Sequence, residues 1–221
     1  MRSSYHEELD GIIEQLVHMA SLVETAMHEA SESLINADLT KAEAVISGDA
    51  QLDSLHEELE YKCLSLLALQ APVAGELRIV VSAIRVVFEF ARMGDLAAHI
   101  AKIARLRYPE HAVPKDLEPS FIEMARIAEQ MVQLAKTTLS EHDAEEAMKL
   151  AKVDADVDVL RREHFQIILD EGWQGTVEDA VDVALLGRYY ERFCDHAVAV
   201  GRRTIYLVTG AAPTGEDWPN A

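Results

Sequence analysis

The chain has 221 residues, of which 49% are hydrophobic and 27% are charged, a balance typical of a folded globular protein and unlike that of a disordered one. Acidic residues outnumber basic residues by 39 to 20, which gives a net charge of −19. This charge opposes binding to phosphate backbones and to anionic membrane surfaces, so we expect no nucleic-acid partner and no polybasic membrane patch.

The first half of the chain predicts three long helices. Apolar residues recur at three- and four-residue steps between residues 9 and 35, which is typical of an amphipathic helix. Asp38 is the predicted N-cap of a second helix, which ends before Pro72. A third helix over residues 73–108 is unusually rich in apolar residues. We expect it to be the most buried.

The second half predicts three more helices after a proline-rich connection. Residues 109–119 contain three prolines, the strongest linker signal in the chain. Capping boxes that begin at Ser120 and Asp143 predict the starts of a fourth and a fifth helix, and a sixth is predicted from about Thr176 to Val208. The predicted domains are a first three-helix bundle over 1–110, a linker over 111–119, a second three-helix bundle over 120–210 and a disordered tail over 211–221.

These segments predict the fold class. Helices of roughly 30 residues are about 45 Å long, and short connections make sequential neighbours run antiparallel. We therefore expect an all-α protein of two tandem three-helix antiparallel bundles with six long helices. The third and sixth helices have more apolar surface than a bundle of three requires. This surplus should pack half against half or subunit against subunit.

An acidic spacing occurs twice and indicates an internal duplication. Asp49 and Asp53 are four residues apart, and the same spacing returns 105 residues later as Asp154 and Asp158. The segment 92–95 (Arg-Met-Gly-Asp) likewise aligns with 192–195 (Arg-Phe-Cys-Asp), 100 residues later. The chain is therefore interpreted as two copies of one helical unit.

The repeated carboxylates predict a metal site in each half. Residues at i and i+4 share one helix face about 5–6 Å apart, so each pair needs protons, basic partners or a hard cation nearby. Oxygen ligands suit magnesium, calcium, manganese or iron. The candidate ligands are Asp154, Asp158, Glu191 and Asp195 in the second half, and Asp49, Asp53 and Asp95 in the first.

The first-half site is expected to be weaker or differently built. The position that corresponds to Glu191 is Ala91, so the first cluster is one carboxylate short. Glu89 lies two residues earlier, on another face of the helix, and does not replace the missing ligand.

Two other interpretations of the carboxylates stay open. The first is a solvated acidic face neutralised by surface ion pairs with Arg161, Arg162, Arg188 and Arg192. The second is a metal store or a metal-dependent enzyme. The enzyme interpretation is weak because a ferritin-like di-iron site needs Glu-x-x-His pairs on two helices, and a single Asp53–His56 pair approximates one. Nucleotide-binding and serine hydrolase motifs are absent from the sequence.

Three observations predict the compartment. Cys63 and Cys194 have no CxxC spacing and suit a reducing cytoplasm as buried core residues. The first eight residues lack the apolar core of a signal peptide. The longest uncharged run, 63–75, is shorter than the roughly 20 residues that span a bilayer. We expect a cytoplasmic protein whose membrane association is peripheral.

Four stretches of the chain resemble the PhoU family of phosphate-transport regulators. They are YHEELD (5–10), LLALQAPVA (66–74), RMGD (92–95) and YERFCDHA (190–197), and residues 108–114 further resemble the actinobacterial branch. The LLALQAPVA stretch followed by RMGD is quite specific to the family, and the resemblance covers nearly the whole length.

The resemblance implies both a fold and a role. It implies tandem three-helix bundles in a cytoplasmic, non-enzymatic protein, for which we expect a homodimer. It also implies a negative regulator that links the phosphate ABC importer to a phosphate-sensing histidine kinase and reaches the membrane through these partners. Family members bind metal clusters through [DE]-x-x-x-D motifs. Asp49/Asp53, Asp154/Asp158 and Glu191/Asp195 match that pattern, whereas Ala91 ahead of Asp95 departs from it.

Overall fold

The computed structural model describes residues 2–211, with side chains from Glu7 onward, and this part of the chain contains helices and no strand. The helices are α1 (Arg2–Asn36), α2 (Leu39–Gln70), α3 (Ala74–Arg107), α4 (Glu118–Glu141), α5 (Ala144–Ala147), α6 (Leu150–Ile168) and α7 (Val177–Thr209). The predicted all-α fold of six long helices is confirmed, with α5 as an added single turn. Apart from Ala211, the predicted disordered tail lies outside the described residues.

Several helix ends follow directly from local sequence. The Asp38 side chain accepts a hydrogen bond from the backbone N–H of Lys41 at 3.1 Å, which confirms it as the N-cap of α2. Thr176 and Asp179 form a complete capping box at the start of α7. At its other end, Gly210 takes a left-handed conformation with φ of 78°, which glycine adopts without steric cost.

The predicted fifth helix is interrupted. Asp143 caps it as expected, since its side chain accepts from the backbone N–H groups of Glu145 and Glu146. The N–H groups of Met148 and Lys149 then bond to carbonyl groups three residues back instead of four. This tighter, 3₁₀-like turn separates α5 from α6.

The capping box predicted at Ser120 is wrong. α4 begins two residues earlier, at Glu118, with Leu117 as an N-cap that provides no side-chain hydrogen bond. Pro119 lies in the first turn, where its fixed φ angle favours the helix and its missing N–H costs nothing. The hydroxyl group of Ser120 is consequently available for a partner elsewhere.

Both halves contribute to one continuous hydrophobic core. α1 packs on α2 and α3, and α7 packs on α4 and α6. Two further contacts, α1 with α4 and α3 with α7, join the halves, so much of the apolar surplus of the third helix is covered within the chain. The predicted linker also contributes to this core through Ala112, Val113 and Leu117. The division into two domains stays a prediction.

Cys63 and Cys194 are both buried free thiols, as expected of core residues. None of the helices within residues 2–211 combines the length and the apolarity needed to cross a bilayer.

Candidate metal centre

The second-half carboxylates converge where α6 packs against α7. Asp154 and Asp158 lie one turn apart on α6, and Glu191 and Asp195 lie one turn apart on α7. All four side chains are partly buried. The structure therefore brings together the set that the sequence predicts, and we call these residues the second cluster.

Burial and like charge together shift the titration of the second cluster. Burial, reinforced by Asp195, Asp158 and Glu191, raises the pKa of the Asp154 carboxyl group to about 7. Burial and the adjacent Glu191 also raise the pKa of Asp195. With a pKa of about 7, the Asp154 carboxyl group is protonated in about half of the molecules at neutral pH unless a cation takes the place of the proton.

Two arginines neutralise one member of the second cluster. Glu191 is only 12% exposed and forms ion pairs with Arg161, at 3.2 Å, and with Arg188. Within the described residues, Asp154, Asp158 and Asp195 form no ion pair of their own. Arginine neutralisation, one of the alternatives open from the sequence, thus accounts for Glu191, and Arg188 and His196 also oppose the rise in the pKa of Asp195.

The first-half carboxylates also come together, with basic groups around them. Burial, then Asp95 and Asp53, raise the pKa of Asp49, whereas Lys102 and His99 oppose the rise. Asp95 forms an ion pair with Arg92 at 2.9 Å. Asp49, Asp53 and Asp95 are named the first cluster below.

The first cluster has no replacement for its missing carboxylate. Ala91 lies on α3 at the position of Glu191 on α7, and the nearby Glu89 accepts a hydrogen bond from Nδ1 of His196 at 2.8 Å. Glu89 is therefore engaged with α7 and not with the first cluster.

The chemistry of the second cluster fits a hard cation. Its donors are carboxylate oxygens, which suit magnesium, calcium, manganese or iron, and a bound cation would compensate the charge that burial disfavours. Across residues 2–211, however, no group of three or more His, Cys, Asp or Glu side chains has the arrangement of an assembled metal site. Cys194, which lies next to the cluster, is fully buried, and burial raises the pKa of its thiol well above the usual range.

A buried histidine in the second half was missed by the sequence analysis. His164 on α6 is 2% exposed, stacks on Phe121 at 4.5 Å and is hydrogen-bonded through Nε2 to the Ser120 hydroxyl at 2.6 Å. Burial lowers the pKa of His164 to about 4. No spacing within α6 distinguishes this histidine, because both of its partners lie on α4.

Comparison with known proteins places the chain in a family. The sequence model of the PhoU domain matches the chain twice, at residues 16–104 and 121–204. "Phosphate-specific transport system accessory protein PhoU homolog 2" of Mycobacterium tuberculosis is 46% identical over 213 residues, which cover 96% of this chain and all of that protein. The corresponding homolog 1 of Mycobacterium leprae is 42% identical over the full length of both chains.

Solved structures agree with this placement. The crystal structure of PhoU from Pseudomonas aeruginosa has a TM-score of 0.86 and 27% sequence identity, and covers 94% of this chain and all of that one. PhoU from Streptococcus pneumoniae also has a TM-score of 0.86, with 25% identity over 95% of this chain and 99% of its own. Because the family model matches well over half of the residues and the fold is the same, the chain belongs to the PhoU family.

Proposed function

We propose that this protein is an accessory protein of phosphate transport that acts in the cytoplasm as a negative regulator, an adaptor between the phosphate ABC importer and a phosphate-sensing histidine kinase. The observation that supports this most strongly is the full-length similarity to proteins named accessory to the phosphate-specific transport system. Its mechanism is docking and not catalysis. The helical core positions partner-binding surfaces, and no catalytic step is assigned to any residue.

Exposed apolar side chains at equivalent turns of the two halves are candidates for the docking surface. Leu69 and Val73, where α2 meets α3, are 81% and 72% exposed. Leu169 and Val177, where α6 meets α7, are 78% and 83% exposed. We call these two places the apolar turns. Exposed apolar groups that recur at the equivalent turns of both halves favour an interaction with another protein.

The role in regulation is tested with a phosphate-starvation reporter. Deleting the gene, together with any paralogue, should raise expression of alkaline phosphatase in phosphate-rich medium, and the wild-type gene should restore repression. Expression that stays low in the deletion strain would contradict negative regulation. The similarity in sequence would then describe the fold and not the role.

The docking surface is tested by substitution at the apolar turns. Leu69→Glu and Leu169→Glu should derepress the reporter and weaken co-purification with the importer's ATPase subunit or the kinase, while thermal stability stays unchanged. Ile122→Glu, which alters an apolar side chain of α4 that is 47% exposed, is the matched control and should leave regulation intact. Full regulation by both turn variants would show that the partners bind elsewhere.

A second proposal concerns metal at the carboxylate clusters. Asp154, Asp158 and Asp195 would hold a divalent or iron-type cation, with Glu191 beside them, and the cation would compensate charge and stiffen the contact between α6 and α7. The first cluster would bind more weakly. The observation that favours this is the raised pKa of Asp154, about 7, in a set of which Asp154, Asp158 and Asp195 form no ion pair within the described residues.

Elemental analysis and titration with manganese, magnesium and iron test this second proposal. Substituting Asp154→Asn and Asp158→Asn together should abolish binding at the second cluster. Asp156→Asn, an exposed residue between them on the same helix, is the control. Because a proton competes with the cation at Asp154, whose pKa is about 7, wild-type affinity should rise between pH 6 and pH 8, a range chosen to bracket that value. Absence of metal binding in all three titrations would overturn the proposal. It would also exclude the interpretations of the protein as a metal store or a metal-dependent enzyme.

Oligomeric state is a separate part of the proposal. We expect a homodimer, and sedimentation velocity measures it directly. A single species of 24.5 kDa at all concentrations would contradict the dimer.

A further inference from the structure

α3 and α7 run antiparallel against each other over most of their length. Contacts between their side chains occur in order from one end to the other: Arg107 with Asp182, His99 with Tyr189, and His196 with Glu89. At the far end, Nε of Arg78 donates to the carbonyl group of Leu207 at 3.2 Å. α3 and α7 are the equivalent helices of the two repeats. Because they run antiparallel, a residue of α3 at one end of the pair corresponds to the residue of α7 that lies 100 positions later, at the other end.

The end formed by Arg107 is neutralised within the protein. Its guanidinium group donates to Asp182, whose side chain is 5% exposed, and also to the more exposed Glu178. A cation at this end therefore has two carboxylate partners. We call this the paired end of α3 and α7.

The equivalent place at the opposite end lacks the carboxylate. The residue 100 positions before Asp182 is Ser82, which is 1% exposed. Ser82 lines a cavity of about 210 Å³ together with Val81, Arg85, Arg202, Arg203 and Tyr206. We call this the arginine cavity. A protein with a net charge of −19 thus concentrates three arginines around one small cavity.

Two buried donors in the arginine cavity lack partners. The hydroxyl oxygen of Ser82 and Nε of Arg203 are both inaccessible to solvent and form no hydrogen bond with the described residues. A buried donor without a partner costs about 1–3 kcal/mol, so such groups usually face a ligand or a bound solvent molecule. The unpartnered hydroxyl group at the wall of the cavity is the observation, beyond the arginines, that indicates a ligand.

The charges around the cavity favour an anion. Burial, Arg85 and Arg202 lower the pKa of Arg203, against an opposing effect of Glu89. Glu89 is already hydrogen-bonded to His196, and Arg85 forms no ion pair with the described residues. Repulsion among the guanidinium groups would be relieved by a ligand that carries negative charge.

We propose that the arginine cavity binds a phosphate group, held by Arg203 and Arg85 with the Ser82 hydroxyl as a further donor. Guanidinium groups pair with phosphate oxygens through charge-assisted hydrogen bonds, and a hydroxyl group supplies the uncharged donor that a tetrahedral anion accepts. The volume suits a single phosphate group, either free or at the end of a small ester. The proposal rests on the residues of the arginine cavity and not on the regulatory role, so its failure would leave the regulatory proposal intact.

Calorimetric titration of the full chain with inorganic phosphate tests this proposal, with sodium chloride of equal ionic strength as the blank. Wild type should bind one phosphate per chain. Arg203→Gln should weaken binding about tenfold because it removes a charge-assisted hydrogen bond, and Ser82→Ala should weaken it less. Arg162→Gln removes the same charge from an exposed position on α6 and should bind like wild type. If Arg203→Gln does not fold, Arg85→Gln, at an exposed side chain, replaces it.

The source of the phosphate group is resolved by two more probes. Binding of inorganic phosphate or glycerol 3-phosphate identifies a small soluble ligand. Recruitment of wild type, but not Arg203→Gln, to vesicles that contain phosphatidic acid identifies a lipid headgroup. The proposal is overturned if none of the three probes binds, or if Arg203→Gln binds them as well as wild type does.

Discussion

The two carboxylate clusters have the same spacing in the sequence but differ in their surroundings. The first cluster has three acids, with Lys102 and His99 opposing the shift at Asp49 and Arg92 paired to Asp95. The second has four acids, and the pKa of its Asp154 rises to about 7. Duplication thus preserved the backbone positions of the acids, while substitutions around them changed their charge balance. A repeated motif therefore predicts where carboxylates lie and not how they titrate.

Substitutions that copy a residue from one half into the equivalent position of the other test which differences between the halves affect stability and binding. The largest effect is expected for Asp182→Ser, which gives the paired end the residue found in the arginine cavity. Arg107 would lose its buried partner, and we expect the free energy of unfolding to fall by about 3 kcal/mol. Urea denaturation measures it. Glu178→Ser removes the exposed partner of the same arginine and should cost less than about 1 kcal/mol.

The buried His164 has no counterpart in the first half, where the equivalent residue, 105 positions earlier, is Leu59. Its pKa is about 4 in the folded protein, below the value of 6.5 expected in the unfolded chain. The unfolded chain therefore binds the proton first, and stability is complete above about pH 6.5 and lost as pH falls toward 4. Lowering the pH from 7.5 to 5 should therefore reduce the wild-type free energy of unfolding by about 2 kcal/mol through this histidine.

The variant His164→Leu with Ser120→Ala tests this pH dependence. It copies the first-half residue and removes the hydroxyl group that would lose its partner. Unfolding free energies at both pH values should differ less in the variant than in wild type. Equal pH dependence in the two proteins would show that His164 is not the group responsible.

A smaller effect is expected for Gly94→Cys, which copies Cys194 into the first half. A Cβ atom at position 94 would lie 2.6 Å from Cδ1 of Leu52, so the side chain of Leu52 must move. We expect destabilisation of about 1–2 kcal/mol, measured by thermal unfolding. Gly48→Ala, at a glycine with open space around it, is the control and should not destabilise the protein.

Adding the missing carboxylate should have the smallest effect on stability. Ala91→Glu supplies the first cluster with the residue found in the second, and one partly exposed charge should change stability by less than about 1 kcal/mol. If the clusters bind metal, manganese affinity at the first cluster should rise toward that of the second, as measured by calorimetry. Unchanged affinity would mean that the surrounding basic groups, and not the missing acid, limit the first cluster.

The sequence predicted the features that depend on neighbours along the chain. The Asp38 cap, the start of the last long helix near Thr176 and the pairing of acids on one helix face are set within a few residues, so local spacing reveals them. The capping box predicted at Ser120 failed because α4 begins at Glu118, and the Ser120 hydroxyl group bonds instead to His164, 44 residues away. The arginine cavity was equally hidden, since Ser82 and Arg203 come from opposite halves.

The packing of α3 on α7 also has a consequence for the history of the chain. Equivalent helices of two repeats meet antiparallel, which is the geometry of an isologous dimer of identical subunits. The fusion of such subunits into one polypeptide frees each partner to diverge, because a substitution no longer appears twice at the interface. Asp182 opposite Arg107, and Ser82 in the corresponding place, are an asymmetry that no symmetric ancestor could carry. The two-fold contact inside this chain is thus already occupied, and a homodimer must use a different surface.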